Sequence, residues 1–251
     1  MDDFRAVLVV DAERFSAHRD ADLPDVHLEI RRVLAAACAD SGLRGVWDDV
    51  RFMESTGDGI LAVLPHEAVP ALIDPFPRRL QDALAESAPR LRARGLRLRL
   101  RVALHVGLVD DERVDAPGIS TAVIDACRLL DSAPLRRALD RSDPEVTFAA
   151  LLISADLFTA YVRGGRSSLR ESQFEEVQVQ VKQYDRSAYL YVPVPSRTER
   201  PDDDEPPAEE RAAPPPPPPS GTSISGITIS GDGTQNAFGN TVGGDLRQDR
   251  R

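Results

Sequence analysis

The chain has 251 residues and a formal net charge of −10, enough length for one large domain or two small ones. The acidic balance argues against a nucleic-acid partner, which is held by Lys and Arg neutralising phosphates, and against a polybasic membrane anchor. The start, Met1-Asp2-Asp3-Phe4-Arg5, lacks the basic residues and apolar run of a signal peptide, and no stretch approaches the ~20 apolar residues of a membrane helix, so a cytoplasmic protein is expected.

Three zones separate by composition. Residues 1–192 mix apolar and charged residues in periodic patterns and can build a core. Residues 4–11 (FRAVLVVD) form a β-branched run and read as a buried strand. Residues 24–40 place Val26, Ile30, Val33, Leu34 and Ala37 on one helical stripe, opened by Pro24 and closed by Gly42. Residues 50–64, with Thr56-Gly57-Asp58-Gly59 at their centre, read as a hairpin, and 74–94 as a helix. Residues 96–106 (LRLRLRVALHV) alternate strictly, which predicts a strand with Arg97, Arg99, Arg101 and His105 on one polar face, its arginines either simply solvated or lining the open sheet face to meet phosphates or an acidic partner protomer. A helix is expected at 119–140, a strand at 147–153, a short helix at 155–162, and strands at 174–182 and 187–193. Cys38 and Cys127 fall in the helical stretches among apolar residues and are expected to be buried free thiols. The order β-α-β-β-α-β at the start predicts an α/β (α+β) domain of the ferredoxin-like or palm arrangement, its helices on one face of the sheet.

The chemically telling pair is Asp11, at the end of the first strand, and Asp58, at the hairpin turn. In a βαββ unit those two ends converge. Two carboxylates held together are costly unless a cation sits between them, and Mg²⁺ (or Mn²⁺) shared with substrate phosphates suits that position. Each residue also has an ordinary reading: Asp11 as a cap or loop residue, and Asp58 as the Asp of an Asp-Gly turn.

Four segments, in order, resemble the class III adenylate and guanylate cyclases. Val10-Asp11-Ala12-Glu13-Arg14-Phe15-Ser16 is similar to their D-x-x-G-F-[ST] signature, and Ser55-Thr56-Gly57-Asp58-Gly59-Ile60-Leu61-Ala62-Val63 to their G-D-x-x-x-A-V hairpin. Residues 100–107 (LRVALHVG) are similar to their R-[VI]-G-[IV]-H-x-G strand, and residues 122–130 (AVIDACRLL) to their V-N-x-A-x-R-[LM] helix. The chain also resembles actinobacterial cyclase-like proteins in which this domain is joined to varied partner segments. The resemblance implies that Asp11 and Asp58 bind metal. It implies that backbone amides at Ala12, Arg14, Phe15 and Ser16, where a loop enters a helix, face a triphosphate. It gives Arg128 the role of stabilising charge on the α-phosphate, in a homodimer with sites at the interface. Three positions depart from the pattern. Arg14 replaces a Gly, Glu54 replaces a base-reading Lys, and Ile124 replaces a transition-state Asn.

Residues 193–219 hold Pro193, Pro195, Pro201, Pro206, Pro207 and an unbroken proline run at 214–219, with the acidic Asp202-Asp203-Asp204-Glu205. This composition predicts an extended, semi-rigid tether. Residues 220–251 are rich in Gly, Ser, Thr and Asn and read either as a disordered tail or as a cross-β assembly segment. The stretch Ile227-Thr228-Ile229-Ser230-Gly231, followed by Asn236, is similar to bacterial amyloid-signalling and RHIM-like motifs, which template a partner carrying a matching motif. The expected protein is therefore a nucleotide-binding cyclase-like signalling module with eroded purine-cyclase chemistry. Its expected partners are a nucleoside triphosphate and an effector protein with a matching C-terminal motif. An active divergent cyclase making a 3′,5′-cyclic nucleotide is the alternative.

Overall fold

In chain order the protein, seen in a computed structural model, forms β1 (Asp3–Ala12), α1 (Leu23–Asp40), α2 (Arg44–Asp48), β2 (Phe52–Ser55), β3 (Gly59–Pro65), α3 (Val69–Ile73) and α4 (Phe76–Ala93). There follow β4 (Leu100–Val109), α5 (Thr121–Leu130), α6 (Ala133–Asp140), β5 (Ala149–Ser154), α7 (Ala155–Leu157, continued by a π turn over Phe158–Arg163), β6 (Phe174–Val181) and β7 (Tyr184–Tyr191). The structure describes residues 3–50, 52–113, 115 and 117–198. The expected tether from 199 onward and the expected assembly motif, with Ile227, Ile229, Gly231 and Asn236, lie outside the described residues. No helix among the described residues is long and apolar enough to cross a membrane.

The strands form one sheet in the order β2-β3-β1-β4-β5-β7-β6. β1 pairs antiparallel with β3 on one side and β4 on the other, and β5 joins β4 in parallel. The βαββαβ unit expected from the sequence is present, with α1 and α4 together on one face. Alternate residues of β1 show why this strand reads as a continuous apolar run. Ala6, Leu8 and Val10 pack into the core under α1 and α4, while Val7 and Val9 pack into a second core under α5 and α6. A strand buried on both faces has no polar side to present.

The helices follow their sequence signals. α1 opens with Pro24 in its first turn and buries Val26, Ile30, Val33, Leu34 and Ala37, the expected stripe. The helix expected over 119–140 is two helices. Ser120 caps α5 by accepting from the Val123 amide at 3.2 Å, and the chain turns extended at Ser132 before α6. Pro134 explains the break, since a proline inside a continuous helix removes a backbone donor and clashes with the preceding turn.

Two sequence expectations need correction. The face of β4 expected to be solvated is covered by α5 and α6, so Arg99 and His105 are buried, at 8% and 7% exposed. Arg99 satisfies its guanidinium by donating to the Leu139 carbonyl at 2.7 Å, the Thr147 carbonyl at 2.9 Å and Glu13 at 2.9 Å. It thereby caps the C-terminus of α6, where a cation is favoured. Of the two thiols, Cys38 is fully buried and pushed up to about 12 by burial, whereas Cys127 is only half-buried. The ordered unit also runs past β7. Thr147 donates to the Val194 carbonyl at 2.6 Å, the Asp143 amide to Ser196 at 2.9 Å, and the Thr198 amide to the Arg141 carbonyl at 3.0 Å. Residues 193–198 are thus a strap stitched to the α6–β5 connection.

One buried charge ties α1 to α4. Glu29, 6% exposed, accepts from Arg32 on its own helix and from Arg90 on α4. Burial alone raises its carboxyl pKa, but hydrogen bonds from Arg32 and Arg90 outweigh burial and hold it below the ordinary value of 4.5. A lowered folded-state value gives stability that is present above 4.5 and lost as pH falls through the folded-state value. Urea unfolding should show Glu29→Gln costing on the order of 1 kcal/mol at pH 7. The gap between variant and wild type should close as pH is lowered below that window.

Candidate functional site

The sheet register brings Asp11 and Asp58 to one end of the sheet. Asp11 lies opposite Gly59 of β3, and the Ala12 amide donates to the Asp58 carbonyl at 2.9 Å. Asp58 is therefore the first residue beyond the β1–β3 pairing. Gly59 permits this closeness, because a Cβ there would overlap the Val10 carbonyl oxygen and crowd the Asp11 Cα. The turn is closed by the Thr56 amide donating to the Gly59 carbonyl at 3.1 Å, with Gly57 at φ 91°. His27 on α1 clamps it from the side. One ring nitrogen meets the Gly57 carbonyl at 3.1 Å and the other meets Ser55 Oγ at 3.3 Å.

Asp11 is 8% exposed and already has a cation. On its other side it lies opposite Arg101 of β4. Arg101 grips both of its oxygens, Nε to Oδ1 at 2.8 Å and Nη2 to Oδ2 at 2.6 Å, in the two-bond fork that guanidinium and carboxylate favour. Burial pushes the Asp11 carboxyl above the usual carboxylate range; the Arg101 fork pulls it back, and the charges of Asp58 and Asp131 add to the upward push. Sequence periodicity set Arg101 on a polar face, solvated or open to phosphates, and so missed its pairing with Asp11. The signal that finds it is pairing register, since Asp11 and Arg101 occupy facing positions on neighbouring strands.

The β1–α1 loop does not run straight into the long helix expected behind it. Arg14 sits in the left-handed region at φ 54°, the conformation glycine adopts without cost. The loop then enters only a 3₁₀ turn, Phe15–Ala17, and α1 starts later at Leu23. The Ala17 and His18 amides are spent inside that turn, donating to the Arg14 and Phe15 carbonyls at 2.9 and 3.2 Å. The amides near Ala12, Arg14, Phe15 and Ser16 therefore lack the long helix dipole that the sequence suggested behind them. Phe15 packs against the core, whereas Ser16 is exposed. Glu54 is exposed on β2, the edge strand.

Arg128 is placed elsewhere. It extends along α5 to Asp125 at 3.3 Å and to Gln183 in the β6–β7 turn at 3.3 Å. Ile124, one turn earlier, is 47% exposed. His105 is buried near Asp125 with its Nδ1 unpartnered, and burial pushes its pKa down. Among the described residues no group of three or more His, Cys, Asp or Glu is placed to hold a metal.

No protein-family profile matches the chain, and no curated protein matches it in sequence. Solved structures do match. The guanylyl cyclase Cya2 is 15% identical, with 79% of this chain and 95% of that one covered and a TM-score of 0.53. The adenylyl cyclase CyaB from P. aeruginosa is 15% identical, with 80% and 99% covered and a TM-score of 0.52. Adenylate cyclases from Trypanosoma brucei, in their monomeric state, are 16% identical, with 79% and 92% covered and a TM-score of 0.51. The described unit thus has the fold of adenylyl and guanylyl cyclase domains.

Because the Asp11–Arg101 pair is buried, removing one partner strands the other. Arg101→Met should cost about 3–5 kcal/mol in urea unfolding, and the double variant Asp11→Asn/Arg101→Met should recover much of that loss. A double-variant cost equal to the sum of the Asp11→Asn and Arg101→Met costs would show the pair to be energetically idle.

Proposed function

We propose that this domain binds a nucleoside triphosphate as a signalling module, with its purine-cyclising chemistry eroded, and passes the bound state to a self-assembling C-terminal motif. The observation that supports it best is the juxtaposition of Asp11, Asp58 and Arg101 at one sheet end in a cyclase fold. Two carboxylates leave the remaining positions of Mg²⁺ or Mn²⁺ to water and substrate phosphates, the usual way such an ion is held. The donor set suits the ion once Arg101 releases an Asp11 oxygen. Asp11 and Asp58 would hold it, and when bound it supplies neutralisation of phosphate charge. Arg101, freed from Asp11, is positioned to meet phosphate oxygens.

The eroded positions support the reduced chemistry. Glu54 cannot donate to an acceptor on a base edge unless protonated. Ile124 offers no hydrogen bond where an amide is expected, and one such donor is worth on the order of a hundredfold or more in rate. Arg128 keeps the charge required for phosphate stabilisation and, held on α5 away from Asp11 of its own chain, would serve a site completed by a second copy in a homodimer.

Fluorescent nucleotide titration should detect triphosphate binding that needs Mn²⁺ or Mg²⁺ and weakens at least about tenfold in Asp58→Ala. None of the four NTPs should give cyclic product with the wild type. The pair Glu54→Lys/Ile124→Asn should raise product formation from that baseline. Product from the wild type but not from Asp58→Ala would establish instead an active divergent cyclase. Absence of metal-dependent binding would remove the nucleotide reading altogether.

The motif around Ile227, Ile229, Gly231 and Asn236 is proposed to stack as cross-β with an effector carrying a matching segment. Its β-branched residues, low charge and lack of proline support this. Full-length protein should raise thioflavin fluorescence on seeding, and Ile227→Pro should abolish the rise.

A further inference from the structure

A cleft of about 420 Å³ opens on the opposite side of the β1–α1 loop from the Asp58 turn. Its lining residues come from four segments distant in the chain. Arg14 and His18 belong to the β1–α1 loop, Arg97 and Arg99 to the approach to β4, and Asp140 and Ser142 to the end of α6; Thr198 closes the wall from the strap. Three arginines converge here in a chain whose overall charge is −10. Arg99 forms the floor and is held by Glu13 and two carbonyls. Arg14 and Arg97 are different. Among the described residues Arg14 has no ion pair, and Arg97 has only a loose contact with Glu145 at 3.9 Å. Burial holds Arg99 below its ordinary value and the charge of Arg14 adds a smaller push, while Glu13 and Asp140, which also line the cleft, pull the other way.

The loop backbone points the same way. Arg14 holds a left-handed conformation at φ 54° that a glycine would adopt freely, so the position favours a residue it does not contain. His18 fixes the loop against the cleft's other edge: one ring nitrogen meets the Phe15 carbonyl at 2.9 Å and the other accepts from the Arg97 amide at 3.3 Å. A strained arginine on a tethered loop, beside a second arginine held only loosely by Glu145, is built to bring charge to a ligand.

We propose that this cleft is a second ligand site, separate from the Asp11–Asp58 end, that takes a phosphorylated small molecule of about the size of a nucleoside monophosphate. The volume falls in the range of small-molecule sites. Guanidinium groups match phosphate geometry with paired donors, and Ser142, Thr198 and Asp140 offer polar partners for ligand hydroxyls. A molecule spanning Arg14 and Thr198 joins the β1–α1 loop to the strap, so occupancy should steady residues 193–198 as well as fill the cleft. No divalent ion is required, because the positive charge is supplied by the chain.

Titration calorimetry on the full chain in EDTA, with inorganic pyrophosphate and AMP as probes, tests this. Binding is expected with wild type and with Asp58→Ala, and should weaken at least about tenfold in Arg14→Gly and again in Arg14→Gly/Arg97→Ala. Arg14→Gly suits the observed backbone, so a thermal melt no lower than wild type separates lost binding from lost folding. Three results would overturn the proposal: no heat with either probe at millimolar concentration, equal affinity in the double variant, or binding abolished by Asp58→Ala. The last would place the ligand at the carboxylate end. Because every titration is metal-free, failure here leaves the metal-dependent nucleotide test untouched, and the reverse also holds.

Discussion

The salt bridge between Asp11 and Arg101 is the constraint around which this end of the sheet is arranged. A carboxylate on a central strand, 8% exposed, carries a desolvation cost of several kcal/mol unless a partner meets it with good geometry. The partner must come from a neighbouring strand at a fixed register. β4 supplies it at the position facing Asp11, with two bonds in one plane. On the other flank of β1 only glycine fits, and Gly59 lets the hairpin come close enough to add a second carboxylate at Asp58. A one-residue slip of β4 would send the arginine to the opposite face and leave Asp11 buried and alone. The strand register and the site geometry are thus one fact.

The same logic recurs at other buried charges. Glu29 is met from two helices, and Arg99 is met by a carboxylate and two carbonyls. In each case a charged residue joins elements remote in the chain: α1 to α4, or β4 to the end of α6. These contacts add little net stability by themselves, since desolvation offsets most of the attraction. They act instead on which packing is allowed, because alternatives leave a charge unpaired.

Much of this was legible in the sequence, and the limits have physical causes. The strand at 4–11, the α1 stripe and the turn at Thr56–Gly59 are local patterns, and local patterns survive without knowledge of partners. The proximity of Asp11 and Asp58 followed from the topology of a βαββ unit. Alternation along β4 was read correctly as a strand and wrongly as half solvated, because period two says that faces differ and is silent on what covers them. The covering helices, α5 and α6, lie on the second face of the sheet, and Pro134 divides the single helix expected over 119–140. Arg101, Arg99 and Glu13 form their pairs between strands, so no window along the sequence contains both members. The left-handed Arg14 was visible only as a departure from a glycine in a resembling pattern, and its geometry explains why that pattern has glycine there.

On the proposed reading the Asp11–Arg101 pair also dictates how a nucleotide and a divalent ion would be received. An ion arriving alone would set Arg101 free with no anion, and a triphosphate arriving alone would draw Arg101 from Asp11 and leave that carboxylate beside Asp58 with no cation. Either outcome leaves a buried charge without its partner, at a cost of about 3–5 kcal/mol. Arrival of both would let Asp11 and Asp58 hold the ion while Arg101 meets a phosphate oxygen, so that no buried group loses its partner. A coupling of that size makes each ligand bind weakly without the other and far more tightly with it, because the two share a single barrier of broken charge pairing. On that reading a site carrying two carboxylates and one guanidinium would discriminate a metal-bound triphosphate from either component, through an arginine that touches neither until it lets go of Asp11.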